Sequence, residues 1–175
     1  GWEEAIRGIG SVTLSFWTSA LASAAFNRVL DERLDAGTAE RLVEGDLAWK
    51  HDSRAVFAVG PAELADPDVL RHRYDAFEIS PSGPLWGRGM TEAFGAVDAM
   101  ERRALDAFGA TPELLATGPW RPDGSRRPFH DVLEHPDVEG GFDDHGPYVR
   151  CVFDLRRGMY ATMVLREIMR PDEAR

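Results

Sequence analysis

Between Ser15 and Leu34 the apolar residues Phe16, Leu21, Ala24, Ala25, Val29 and Leu30 recur near helical spacing, and this run restricts the available folds most. Positions 19, 20, 22, 23, 24 and 25 are all alanine or serine, so the helix presents a thin surface that a second element can approach closely. Asp31, Glu32 and Arg33 mark a wetter end, and Asp35-Ala36-Gly37 places a glycine near the C-cap. A helix of this kind needs something to pack on. The 175 residues suffice for one ordinary domain or two small ones.

The remaining pattern alternates short β-like runs with helices. Trp2 to Ile9 reads as a short helix stopped by Gly10-Ser11. Asp46–Trp49 and Ala55–Val59, joined through His51-Asp52-Ser53, read as a hairpin. A helix is expected from Ala62 to Tyr74. A second is expected from Met90 to Phe108, with Phe94, Val97, Met100 and Leu105 inward and Glu101, Arg102 and Arg103 facing water. Phe77 to Gly89 holds prolines and glycines at 81, 83, 84, 87 and 89, and reads as a shaped loop anchored by Trp86. Trp120 to Pro128 reads as another loop. Strands are expected over Phe129–Leu133 and Tyr148–Leu155, and Tyr160–Met169 as a strand continuing into a helix. The class is α+β.

Composition narrows the function. No run approaches the roughly 18 apolar residues of a spanning helix, and no basic, then apolar, leader is visible. A single cysteine, Cys151, rules out an internal disulfide framework and fits a reducing cytoplasm; within a strand it reads as core. Thirty acidic residues against 20 basic ones give a net charge of −10, which argues against a polyanionic partner. Against that, Lys50 is the one lysine. The positive charge is nearly all arginine, the side chain suited to bidentate phosphate contacts.

Self-contained catalytic chemistry is hard to find. His130-Asp131-Val132-Leu133-Glu134-His135 differs from an inverted zincin pattern, because histidines five apart diverge by about 140° on a helix. It reads as a solvated turn, as does the acidic Asp143-Asp144-His145; no metal site is expected. Gly87-Arg88-Gly89 lacks the third glycine and the leading strand of a dinucleotide fingerprint, and no G-x-S-x-G occurs.

Taken in order, a set of locally unusual stretches resembles the tRNA pseudouridine synthase D (TruD) family. They are Leu14-Ser15 with Phe26-Asn27, Glu44-Gly45-Asp46, Pro81-Ser82-Gly83-Pro84-Leu85-Trp86-Gly87, Glu101, Gly124-Ser125-Arg126-Arg127-Pro128 and Gly158-Met159-Tyr160-Ala161-Thr162-Met163-Val164-Leu165-Arg166-Glu167. The resemblance implies a pseudouridine-synthase-type mixed, mostly antiparallel sheet interrupted by a small α+β insertion. Residues 1–34 and 126–175 would be the C-terminal part of the catalytic domain and residues 35–125 the insertion. The family's catalytic aspartate belongs to a lysine-aspartate motif that this chain lacks, and is expected upstream of Gly1.

What the resemblance implies is isomerisation of uridine, typically uridine 13, to pseudouridine in tRNA, without metal or redox cofactor. Arg166 is the expected partner of the aspartate, since an ionised carboxylate is held by a nearby positive charge. Tyr160, Leu165 and Asn27 would line the substrate pocket, and Arg88, Arg126 and Arg127 would grip RNA. A surface Arg166 paired with Glu167 or Asp172 is the competing reading. The expected partners are tRNA and the missing N-terminal half, with no membrane role and a cytoplasmic location. A non-catalytic RNA-binding remnant and an acidic protein-interaction module remain as alternatives. A piece of this kind should expose sheet edges and apolar surface.

Overall fold

The computed structural model describes residues 8–117, 122–156 and 159–169. The chain divides into two compact units, ending at His130 and beginning at Asp131. The expected short helix at Trp2–Ile9 falls largely outside the described residues, as does part of the Trp120–Pro128 segment.

In the first unit, α1 spans Ser11–Asp35. Its buried residues, Ala22, Ala25, Phe26, Val29 and Arg33, recur every three or four positions and form one face. Fully buried Ala25 is where the thin surface meets its neighbours. The helix closes through Ala36 and Gly37, whose φ of +62° suits glycine, while Thr38 N–H returns to the Arg33 carbonyl at 2.8 Å. The hairpin forms as expected, with β1 at Leu47–Lys50 and β2 at Val56–Ala58 in antiparallel register. The expected helix at 62–74 is split into a 3₁₀ turn, Glu63–Ala65, and α2, Pro67–Asp75. The split lies at Asp66-Pro67: the proline starts a helix without loss, and Asp66 caps it by accepting from Val69 N–H at 3.1 Å.

The largest correction concerns residues 77–89. Ile79–Leu85 is strand β3, sitting inside the order β2-β1-β3-β4, where β4 is Ser125–Pro128, with residues 79–84 buried. A proline normally excludes a central strand because it cannot donate to the ladder. Here neither neighbour runs the strand's full length. Residues 79–81 face β1, whereas 82–85 face β4. Pro81 still contributes its carbonyl, which accepts from Phe129 N–H at 2.9 Å, and Ser82 Oγ donates to the Leu47 carbonyl at 2.6 Å. Helices α3 (Gly95–Asp106) and α4 (Pro112–Thr117) follow, and α1 packs on both α3 and β3. Trp86 is the expected anchor, in a core with Ala25, Leu105, Ala110 and Leu115.

The second unit is a hairpin and a helix. Strands β5 (Glu134–Asp143) and β6 (Gly146–Asp154) pair antiparallel, with a register shift between Glu134 and Asp137. Residues 129–133 form no strand, correcting that expectation. Helix α5 spans Ala161–Met169 and takes all but Tyr160 of a segment expected to begin as strand. The class is α+β with antiparallel pairing between its named strands.

Candidate functional site

Two fully buried ion pairs organise the first unit. Arg126 on β4 places Nη1 2.8 Å and Nη2 2.7 Å from the two carboxylate oxygens of Glu101 on α3, and also donates to the Ser82 carbonyl. Glu101 shares its helix face with Val97, Ala104 and Leu105, all buried. It was expected to face water with Arg102 and Arg103; the i, i+4, i+7, i+8 spacing from Val97 was the available signal that it does not. Burial holds its carboxyl above the ordinary glutamate value, and the hydrogen-bonded Arg126 guanidinium opposes that rise without cancelling it.

The second pair joins Arg33, expected at a wet helix end, to Asp46. Nη1 lies 2.7 Å and Nη2 3.1 Å from its carboxylate oxygens. The same guanidinium donates to the Thr38 and Arg41 carbonyls, and Asp46 accepts from Val43 N–H at 2.8 Å. Gly45 makes this geometry attainable. It has a φ of +98°, and a Cβ there would collide with the Phe94 carbonyl. Gly45, Asp46 and Arg126 therefore hold the fold, and the buried Arg126 is structural where a phosphate contact was expected.

Next to these pairs, Phe26 of α1 meets Phe129 with ring centroids 5.8 Å apart, while the Arg127 guanidinium lies 5.1 Å from the Phe26 centroid. Gly83 lets both rings reach the sheet: a Cβ on it would sit 2.7 Å from Phe129 and 2.9 Å from Phe26. This packing fixes the turn of α1 that carries Asn27, whose own side chain is exposed. Exposed Arg88 pairs with exposed Asp123 at 2.8 Å. Their segments cross where Gly87 meets Pro122 and Gly124 backbone to backbone, which is the physical need behind both glycines. The sequence thus pointed to the right stretches but not to their use in packing.

In the second unit, Arg166 and Tyr160 are exposed on and just before α5, and Leu165 is half-buried. Cys151 lies on β6, half-buried rather than in a core. His135 pairs with Asp154 at 2.9 Å in the open, and Asp143 caps the hairpin turn by accepting from His145 N–H. His130 takes the Tyr74 hydroxyl instead. Among the described residues no cluster of three or more metal-ligating side chains occurs, and no helix is long and apolar enough to cross a membrane.

A family model described as tRNA pseudouridine synthase D (TruD) matches residues 1–168. The tRNA pseudouridine synthase D of Geobacter sulfurreducens is 42% identical over 170 residues, covering 97% of this chain and 39% of that protein. The Geotalea daltonii protein of the same name is 38% identical over 169 residues, covering 96% of this chain and 40% of its own length. The chain thus spans about 40% of the curated relatives it matches. A crystal structure from Methanosarcina mazei, of a protein assigned as tRNA pseudouridine synthase D, superposes with a TM-score of 0.70 at 24% identity. That match covers 94% of this chain and 40% of the other, and it shows likeness of fold.

Proposed function

Because this chain belongs to the tRNA pseudouridine synthase D family, we propose that it is the C-terminal part of an isomerase converting uridine 13 of tRNA to pseudouridine. In this reading the catalytic aspartate lies upstream of Gly1, and the chain by itself is inactive. The observation that carries the reading is a similarity reaching nearly end to end of this chain but over only 39% of the Geobacter sulfurreducens relative. Residues 35–125 are then the insertion, docked on α1, and residues 1–34 and 126–175 belong to the catalytic domain.

The reaction breaks the C1′–N1 bond of uridine and joins C1′ to C5 of the same ring; C5 gives up its proton and N1 gains one, so the product is an isomer of the substrate. The target nucleotide must leave its stack, which calls for a pocket with an apolar or aromatic wall. Tyr160 and Leu165, beside Arg166, suit that wall, and Arg166 is the group that pairs with the aspartate. Asn27 sits on a turn immobilised by the Phe26–Phe129 packing, which favours a positioning contact to the RNA. Exposed Arg88 and the partly exposed Arg127 are the RNA-facing arginines. The reading places the protein in the cytoplasm.

The test joins this chain to the portion of the Geobacter sulfurreducens relative that it does not match, in the relative's own order. Pseudouridine is then mapped in tRNA. Pseudouridine at position 13 with the joined protein, and none with the chain alone, is the expected result. Its absence from the folded joined protein would overturn the reading. Arg166→Ala should abolish the product, and unchanged isomerisation would remove Arg166 from the active site.

A further inference from the structure

The β5–β6 hairpin has two chemically opposite faces. Directly paired residues share a face and alternate residues change it. Glu134, Asp137, Glu139, Asp143, Arg150 and Asp154 therefore fall on one side together with Val152, and Glu139 and Arg150 pair there at 2.7 Å. On that same side Gly141 leaves room for the Tyr148 ring to lie over the backbone. The other side carries Val138, Phe142, Pro147, Val149, Cys151 and Phe153, with Gly140 between them, and no charged residue at all. Val138 is 65%, Phe142 80% and Val149 70% exposed. A two-stranded hairpin with an open apolar face is at best marginally stable in water, and a contiguous patch of this kind marks a contact surface.

We infer that this uncharged face, Val138-Phe142-Pro147-Val149-Cys151-Phe153, is the docking surface for the part of the full-length protein that this chain does not contain. The inference rests on the reading that the chain is part of a longer enzyme. Its occupant is an apolar face of that absent portion, which accounts for about 60% of the relatives' length by the coverage above. RNA is a poor occupant. The apolar face offers no cation, and the opposite face has five carboxylates against one arginine, which repels phosphate.

Cys151 makes the inference measurable, because it lies on the apolar face and is the chain's sole cysteine. Its alkylation by iodoacetamide is followed at the peptide level in the isolated 175-residue chain and in the joined protein described above. Thiol reactivity follows access, so the rate should fall about tenfold or more in the joined protein. In that protein Val149→Asp should restore reactivity and Glu139→Gln on the opposite face should not. Equal rates in both proteins would overturn the inference without any variant. Slow alkylation in the isolated chain would overturn it too: with a dimer mass by light scattering, a second copy covers the face, and with a monomer mass, the chain covers its own. Pseudouridine is assayed on the same samples. Protection without product leaves the docking face standing and defeats the functional reading; product without protection does the reverse.

Discussion

Arg126 meets Glu101 through two parallel hydrogen bonds, 2.8 and 2.7 Å long, with both side chains almost wholly removed from solvent. The pair ties β4 to α3, and a third donation to the Ser82 carbonyl brings in β3. Each ion lost its hydration on burial, so each depends on the other far more than a surface pair would.

Removing one member should therefore cost more than removing both. Glu101→Gln leaves a buried guanidinium without its counter-charge and should destabilise the first unit by about 3–5 kcal/mol. Denaturant unfolding measures this. The Glu101→Leu, Arg126→Met double variant should be distinctly more stable than either single one, giving a large coupling energy in a double-mutant cycle.

Arg33→Lys keeps the charge beside Asp46 but not the planar fork that also reaches the Thr38 and Arg41 carbonyls. The loss should be roughly 1.5–3 kcal/mol, the scale of a hydrogen bond to a charged group. Faster amide exchange over residues 38–43 is the local sign to look for, since the arginine anchors that loop.

Gly83→Ala tests the aromatic packing. Its backbone lies outside the left-handed region, so the cost arises from the methyl meeting the Phe26 and Phe129 rings. An overpacked core of this type loses roughly 1–3 kcal/mol. Combining it with Phe129→Leu should recover part of that, because the two changes share the same space.

His130 supplies a pH dependence. Its ring stands edge-on to Tyr74 at 5.4 Å and takes the tyrosine hydroxyl at 3.1 Å, and burial holds it below the ordinary histidine value. Between that lowered value and about 6.5 the unfolded chain binds more protons than the folded one. Stability should thus fall as pH drops below about 6.5 and level off once His130 is protonated in the fold as well. Glu40 works against the shift and does not abolish it. His130→Phe should remove this slope from the pH profile of unfolding; an unchanged slope would assign it to other groups.

The helix α1 and the β1–β2 hairpin were legible because their signals are local: apolar spacing, a glycine at a left-handed turn, and a short polar reversal between apolar runs. The strand β3 was not, because two prolines argue for a loop as long as each neighbour is assumed to pair along its whole length. Glu101 and Arg33 were misread for a related reason. A charged residue on a helix is solvated by default, and only its distant partner makes burial affordable.

The family, the α+β class and the stretches of unusual local detail were readable along the chain, since they rest on residue order and local periodicity. What those stretches do emerged from the way the segments meet in space. Gly45, Gly83, Gly87 and Gly124 are required by backbones and rings brought together across the fold. Arg126 turned from an expected RNA contact into half of a buried ion pair, and the hairpin's uncharged face became visible once the register was known. Pair partners and shared faces depend on which segments meet in space, and that is written in no single segment.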